Sequence, residues 1–347
     1  MVTLGQVGLG YWGPNLLRNF NGLAQARVRV CCDLDEAALR RVGSQYPGMA
    51  ITTDYGELLN DREIEAVVVT APTPSHYELA KAALLTGRHV FVEKPIALAV
   101  AEAEDLVALA EARGRVLMVG HLLMYHPAVT RLKQMVDGGE LGEVYYLYAS
   151  RLNLGQVRRS ENAMWSLAPH DISVALYLLG ETPQAAAAQG LTYLQPGIPD
   201  TVFLTLRFAS GRAAHIHVSW LDPHKVRRIT VVGSQKMAVF DDVDSTEKLR
   251  VYDKGVQRPT YDSYGDSLNL RFGDIHIPRV DMREPLRLEC QHFIDCIVNG
   301  QTPLSDGRNG VQVLRVLEAG QRSLERGGEP VRLSTDPKET RERRQNG

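Results

Sequence analysis

Nowhere in the 347 residues does an apolar run approach the roughly 18 positions that a membrane-spanning helix requires. No charge of one sign dominates either. The 39 basic side chains stand against 41 acidic ones, a formal net charge of -2, so no global field attracts nucleic acid or an anionic membrane surface. Cysteine is scarce: Cys31, Cys32, Cys290 and Cys296 are the four. The first two are adjacent and would point to opposite faces of a strand, the last two diverge around a helix, and neither pair has a metal-site spacing. The opening MVTLGQVGLG lacks the charged and long apolar regions of a secretory signal. These absences set the expectation of a soluble protein in the reducing cytoplasm with a small-molecule partner.

What is present suffices for two cores of ordinary size, with 44% of residues hydrophobic. From Thr3 to Gly120, the short runs TLGQV, VRVCC, AVVVT, HVFV and VLMVG alternate with amphipathic stretches, the rhythm of parallel strands joined by crossover helices. After Gly120 the pattern changes. A helix is expected from Pro127 to the stop at Gly138 and Gly139, a strand at EVYYLYASRL, and a second helix from about His170 to Leu179 before Gly180. Period two then takes over: Val202, Leu204, Leu206 and Phe208 alternate with polar neighbours, and Ala214, Ile216, Val218 and Trp220 repeat the pattern beyond Ser210 and Gly211. Helices near Pro285–Val298 and Gly310–Glu325 follow, and the tail DPKETRERRQNG is too polar to pack. The expected class is α/β: a doubly wound parallel sheet over 1–122, a C-terminal α/β domain with a mainly antiparallel open sheet over 123–335, and a polar tail over 336–347.

Gly8, Gly10 and Gly13 form G-x-G-x-x-G directly after the first strand, with Tyr11 and Trp12 inside the motif and Pro14 at the start of the next helix. Glycines there permit a tight turn and close approach of backbone to a pyrophosphate, which the helix N-terminus stabilises. Asp33, at the end of the second strand and 20 residues after Gly13, is placed to accept hydrogen bonds from an adenosine ribose. It would repel a 2′-phosphate, and the neighbouring Leu34 and Asp35 supply no cation, so NAD(H) is favoured over NADP(H). This is the Rossmann pattern. A second cofactor contact is expected at TAPTPSH, through Thr70, Ala71, Pro72 and His76, with Ser75 capping the following helix; alternatively His76 is an early helical residue without a ligand.

At FVEKP, which contains Glu93 and Lys94, the chain resembles the glucose-fructose oxidoreductase, inositol dehydrogenase and MocA family. GLGYWG, TAPTPSH, EKP and the later APHDIS carry the resemblance in order along nearly the whole chain. It implies that Lys94 is the active-site lysine, with Glu93 and Lys94 both at the cofactor, and His170 the active-site histidine. Oxidation of a secondary alcohol needs an acid/base and a group that stabilises the developing alkoxide, and these two residue types can share those roles. Which of them is the base stays open. Many family members carry an aspartate four residues before the histidine, where this chain has Ser166; serine can hydrogen-bond a sugar hydroxyl but cannot act as an ionised base.

Further stretches, GYWGPNLLRNF, ELGEVYYLYASRLNLG and LAPHDISVALYLLG, resemble a subgroup acting on nucleotide sugars such as UDP-N-acetylglucosamine or its uronate at C3. Arg151, Arg158 and Arg159 could grip a pyrophosphate or carboxylate, or could belong to an exposed loop. Tyr125, Asn153 and Trp165 could face a sugar or a domain interface. His215 and His217 share a strand face, but without a third ligand no metal is expected. Ketosugar reduction, inositol or polyol oxidation, and a non-catalytic dinucleotide sensor are the competing functions. An open sheet uncovered on one face implies a homodimer or homotetramer.

Overall fold

The computed structural model describes residues 1–155, 157–159, 161–257 and 269–333. The tail expected over 336–347 lies outside them. The chain divides into two compact units, and the division is not a single cut.

The first unit comprises Met1–His126 and Arg283–Leu314. Its strands are β1 (Val2–Val7), β2 (Ala26–Cys32), β3 (Ala50–Thr52), β4 (Ala66–Val69), β5 (His89–Glu93) and β6 (Leu117–Gly120), interleaved with α1 (Gly13–Asn21), α2 (Glu36–Gln45), α3 (Tyr55–Asn60), α4 (His76–Leu85) and α5 (Val100–Ala112). All six strands are parallel, in the order β3-β2-β1-β4-β5-β6. The order reverses direction between β1 and β4, so the carboxyl ends of these two strands open a crevice at the point where open α/β sheets take their ligands. β4 is an unbroken apolar run, Ala66 to Val69, fully buried because helices cover both faces. The helix after TAPTPSH is entered through a 3-10 turn, Thr73–Ser75, and Ser75 makes no side-chain cap, contrary to the sequence expectation.

The second unit comprises Pro127–Met282 and the described residues from Arg315 on. It contains α6 (Pro127–Asp137), β7 (Val144–Leu152), α7 (Ala163–Leu179) and the strands β8 (Ala185–Leu191), β9 (Thr201–Arg207), β10 (Ala213–Ser219), β11 (Val226–Gly233), β12 (Met237–Asp241), β13 (Leu249–Gln257) and β14 (Asn269–His276). Helix α8 (Pro285–Asn299) is counted with the first unit, and α9 (Gly307–Glu325) belongs to it as far as Leu314; β15 (Val331–Arg332) completes the sheet of the second unit. The nine strands run β14-β13-β12-β11-β7-β10-β9-β8-β15, antiparallel except for β7 with β10. Ile216, Val218, Leu204 and Leu206 turn inward, while Tyr146 and Tyr148 on the opposite face of the sheet are exposed.

Helix α7 begins well before His170, where the sequence reading placed its start. Asn162 caps it, accepting a hydrogen bond from the Trp165 N–H at 3.1 Å, and Pro169 lies within it.

Candidate active site and cofactor cradle

The glycine turn is built from beneath by Gln6, a buried polar residue in an otherwise apolar strand. Its Nε2 donates to the Gly13 carbonyl at 2.8 Å, and Thr70 Oγ1 donates to the Gly8 carbonyl at 2.5 Å. Gly8 has φ +96°, and a Cβ there would stand 2.4 Å from the Ala71 nitrogen; a Cβ on Gly13 would stand 2.3 Å from the Gly8 carbonyl oxygen. Gly10 differs, for a Cβ there would meet no protein atom within 4 Å. Two glycines therefore close the turn, and the third leaves its outer side open, where backbone can approach a pyrophosphate. Tyr11 and Leu34, at 95% and 89% exposure, flank this open side, and Ala71 and Pro72 keep accessible surface beside it.

Asp33 is held in place by two backbone donors: the Leu9 N–H to Oδ2 and the Asp35 N–H to Oδ1, the latter at 2.8 Å. A carboxylate so fixed presents its remaining lone pairs at the end of β2, as ribose recognition needs. These residues fit an NAD molecule with its pyrophosphate on the N-terminus of α1. Asp33→Ala is expected to weaken NAD binding roughly tenfold to a hundredfold, the equivalent of ~1.5–3 kcal/mol for a charge-assisted hydrogen bond, with little effect on NADP. Titration calorimetry with both dinucleotides checks this; an unchanged NAD/NADP affinity ratio removes Asp33 from the reading.

Both ring nitrogens of His76, expected at the cofactor, are engaged by the protein itself. It is 1% exposed, with Nδ1 2.8 Å from the Pro95 carbonyl and Nε2 2.8 Å from the Ala71 carbonyl, so it braces the loop after β4 against the loop after β5. That bracing locates Lys94, which follows β5. Its backbone N–H donates to Glu93 Oε2 at 3.1 Å, and the Trp12 side chain also hydrogen-bonds Glu93. Glu93 pairs in register with Gly120 on β6, where a Cβ would come within 3.0 Å of Oε1. Close packing pushes the Glu93 carboxyl up to about 7, against the pull of the Lys94 charge.

Sequence reasoning missed His121, which follows β6. It is fully buried, and among the described residues neither ring nitrogen has a hydrogen-bond partner. Burial, then the Lys94 charge, push it down to about 3, so it is a neutral ring at the same end of the sheet. Its position at the carboxyl end of a parallel strand was the available signal. Tyr125, expected at the substrate, is instead buried, with its hydroxyl 2.8 Å from Ser305 Oγ and accepting the Ser305 N–H at 3.2 Å. It anchors the segment before α9.

In the second unit, Ser166 and His170 lie one turn apart on α7, both partly exposed. The His170 carbonyl accepts the Ser173 hydroxyl at 2.8 Å. The next residue, Asp171, is fully buried and bidentate with Arg151: Nε to Oδ2 is 2.6 Å and Nη2 to Oδ1 is 3.0 Å. Arg151 is 5% exposed, so its guanidinium fastens α7 to β7 and is not presented to a ligand anion. Arg158 and Arg159 are exposed, and Arg158 lies 3.8 Å from Glu161. Trp165 is partly buried with Nε1 donating to Gln321 at 3.2 Å, and Asn153 is partly exposed at the end of β7. His215 and His217 stack on Phe203, at 6.4 and 4.2 Å between centroids; among the described residues no three His, Cys, Asp or Glu side chains form a metal-holding group.

Comparison with known proteins agrees with this geometry. Residues 2–121 match the model of an oxidoreductase family with an NAD-binding Rossmann fold, and residues 129–239 match the GFO/IDH/MocA C-terminal domain. The chain belongs to the Gfo/Idh/MocA family. As a member it is an NAD-dependent oxidoreductase, and the sensor alternative is set aside. It is 27% identical over 345 residues to the scyllo-inositol 2-dehydrogenase (NAD(+)) of Bacillus subtilis, covering 96% of this chain and 95% of that relative. The myo-inositol 2-dehydrogenase of Thermotoga maritima is 26% identical over 337 residues, covering 93% of this chain and 96% of the relative. Among solved structures, the UDP-N-acetylglucosamine 3-dehydrogenase GnnA of Acidithiobacillus ferrooxidans superposes with a TM-score of 0.79 at 24% identity, over 94% of this chain and 98% of the other, which shows a shared fold. No helix among the described residues is long and apolar enough to cross a membrane.

Proposed function

We propose that this oxidoreductase transfers hydride between NAD and a secondary alcohol of a nucleotide sugar, of the class of UDP-N-acetylglucosamine or its uronate and at C3, with Lys94 and His170 as its acid/base residues. The observation that carries the chemistry is the setting of Lys94: a partly buried amine at the carboxyl end of a strand in the NAD-binding sheet, beside a carboxyl pushed up to about 7 and a neutral buried imidazole. When bound, NAD supplies the hydride acceptor. The protein must then take the hydroxyl proton and stabilise the developing oxyanion. Lys94 serves by donating to the reacting oxygen or by exchanging its proton, and His170 completes the transfer.

Ser166, one turn before His170, provides a neutral hydroxyl for a sugar hydroxyl, and Asn153 and Trp165 provide an amide and a ring surface. With Arg151 fastened to Asp171, the guanidiniums left for a nucleotide-sugar anion are Arg158 and Arg159. Inositol oxidation is the second reading, supported by the names of the Bacillus and Thermotoga relatives. Assembly as a homodimer or homotetramer through the exposed sheet face that carries Tyr146 and Tyr148 belongs to the same proposal.

A substrate panel separates these readings. With NAD+ and UDP-sugars, dTDP-sugars, free sugars and inositols, NADH formation is expected with the UDP-linked N-acetylhexosamines. Turnover of inositols alone overturns the nucleotide-sugar assignment and leaves the polyol reading standing. Ketosugar reduction by NADH tests the reverse direction, which the same residues serve.

A further inference from the structure

The connection from β8 to β9 runs from Thr192 to Asp200, mostly exposed, yet a buried carboxyl ties it down at its root. Asp200 is completely buried, and its Oδ2 accepts the backbone N–H of Tyr193 at 2.6 Å and of Leu194 at 2.8 Å. Its own N–H donates to the Leu191 carbonyl at 2.9 Å, and its carbonyl accepts the Trp220 N–H at 3.0 Å. Oδ1 has no hydrogen-bond partner among the described residues. The tip is a tight turn closed by the Ile198 N–H on the Gln195 carbonyl at 3.2 Å, with Gly197 at φ +76°.

Two bonds join this loop to residues of the candidate site in the same unit. Gln195 Nε2 donates to the Arg158 carbonyl at 2.8 Å, and the Pro199 carbonyl accepts the N–H of Ala163, the first residue of α7, at 3.0 Å. The chain leaving β7 is fixed beside them, with the Gly155 N–H on the Trp220 carbonyl at 3.4 Å. The loop, Arg158 and Arg159, and the helix that carries Trp165, Ser166 and His170 are therefore one bonded assembly.

The side chains that this assembly exposes are a ring, two alkyl groups and two guanidiniums. Tyr193 is 68% exposed, Leu154 and Leu194 are also exposed, and so are Arg158 and Arg159. Glu161 lies 3.8 Å from Arg158, beyond hydrogen-bond length, so that guanidinium keeps its donors. A lone exposed aromatic is ordinary. A buried carboxyl that fixes the backbone beneath it while one oxygen stays unsatisfied is costly, and it orders the loop before any ligand arrives. A π surface beside guanidiniums suits a nucleobase and its diphosphate, since the ring stacks on the base and the forks take phosphate oxygens.

We propose that the β8–β9 loop is the nucleoside diphosphate subsite of this enzyme. Tyr193 is the stacking surface for the base, Arg158 and Arg159 bind the diphosphate, and Asp200 is a positioning residue that fixes the backbone under the ring. The inference rests on the nucleotide-sugar reading and assigns the part of that substrate remote from the reacting carbon. Along α7, Ala163 and His170 are ~10 Å apart at the helical rise, a separation that a diphosphate with its ribose can span.

Titration calorimetry with UDP on the NAD-saturated enzyme reads the subsite without turnover and with the cofactor cradle filled. Tyr193→Ala should weaken UDP about tenfold and leave inorganic pyrophosphate unchanged, while Tyr193→Phe stays within about twofold of wild type. Arg159→Ala should weaken both ligands about tenfold. Asp200→Ala should weaken UDP about fivefold and Asp200→Asn should restore it, because the amide oxygen can accept the same two N–H groups; if Asp200→Ala does not fold, the Tyr193 series decides. A wild-type enzyme that binds no UDP, or a Tyr193→Ala enzyme that binds it as tightly as wild type, overturns the subsite. A smaller mass for Tyr193→Ala in light scattering gives this surface to a subunit contact and overturns it as well. The nucleotide-sugar reading is decided separately by the substrate panel: UDP-sugar turnover with UDP affinity indifferent to Tyr193 removes only the subsite, and Tyr193-dependent UDP binding without UDP-sugar turnover removes only that reading.

Discussion

Lys94→Ala is expected to lower kcat on the true substrate by ~10²–10⁴-fold, the range that a positioned acid/base contributes, while NAD affinity is retained. The separation follows from where the parts sit. On the proposed reading, the dinucleotide sits on the glycine turn, which the Gln6 and Thr70 bonds build, and beside the fixed carboxylate of Asp33, and none of these bonds involves the lysine ammonium. The substitution also removes the charge that pulls down the Glu93 carboxyl, now at about 7, so Glu93 should become protonated at neutral pH. On the proposed reading, replacing the side chain thus takes away the proton carrier and leaves a neutral surface in its place. His170→Ala should lose activity in the same range. Single-turnover kinetics with enzyme-bound NAD separates the chemical step from product release. A Lys94→Ala enzyme with normal single-turnover rates excludes the lysine from proton transfer.

The part of this site legible in sequence was the part set by local geometry. Three glycines at fixed spacing after a strand, with an acid at the end of the next strand, specify a backbone turn and its partner without long-range information, and the Gly8, Gly13 and Asp33 geometry follows the motif. The strands of the parallel sheet were legible from β-branched runs, except β3, whose three residues are too few and too exposed to form a pattern. In the second unit, β8 reads AAAAQGL and has little intrinsic strand preference; pairing with β9 on one side and β15 on the other makes it a strand. The parallel pairing of β7 with β10 has no local signature either.

What escaped was the choice of partner for a polar side chain. His76, Tyr125 and Arg151 have the right chemistry for a ligand site, but they meet Pro95, Ser305 and Asp171, at separations of 19, 180 and 20 residues. Glu289 has the opposite history. In a helical stretch it reads as an ordinary surface acid, and only the register of α8 on β5 buries it. Residue type thus named side chains of suitable chemistry, and tertiary register decided which of them the protein itself engages.

The Arg151–Asp171 pair provides the largest expected effect on stability. Both side chains are almost fully buried, at 7% and 1% exposure, and their two hydrogen bonds fasten α7 to β7. Arg151→Met leaves a carboxylate buried without its counterion, and this should cost ~3–5 kcal/mol in the unfolding of the second unit, measured as a shift of its urea midpoint at constant m-value. Asp171→Leu on the wild-type background should cost a comparable amount by stranding the guanidinium. The double variant should recover most of the loss, because an apolar pair of similar volume avoids desolvating two charges. This non-additivity distinguishes the ion pair from simple loss of packing, in which the two costs would add. Since Asp171 adjoins His170, the pair has a second readout. If it also sets the orientation of the histidine, the refastened double variant will be stable yet slow, with kcat reduced and NAD affinity unchanged. A double variant that is both stable and fully active confines the pair to holding the helix.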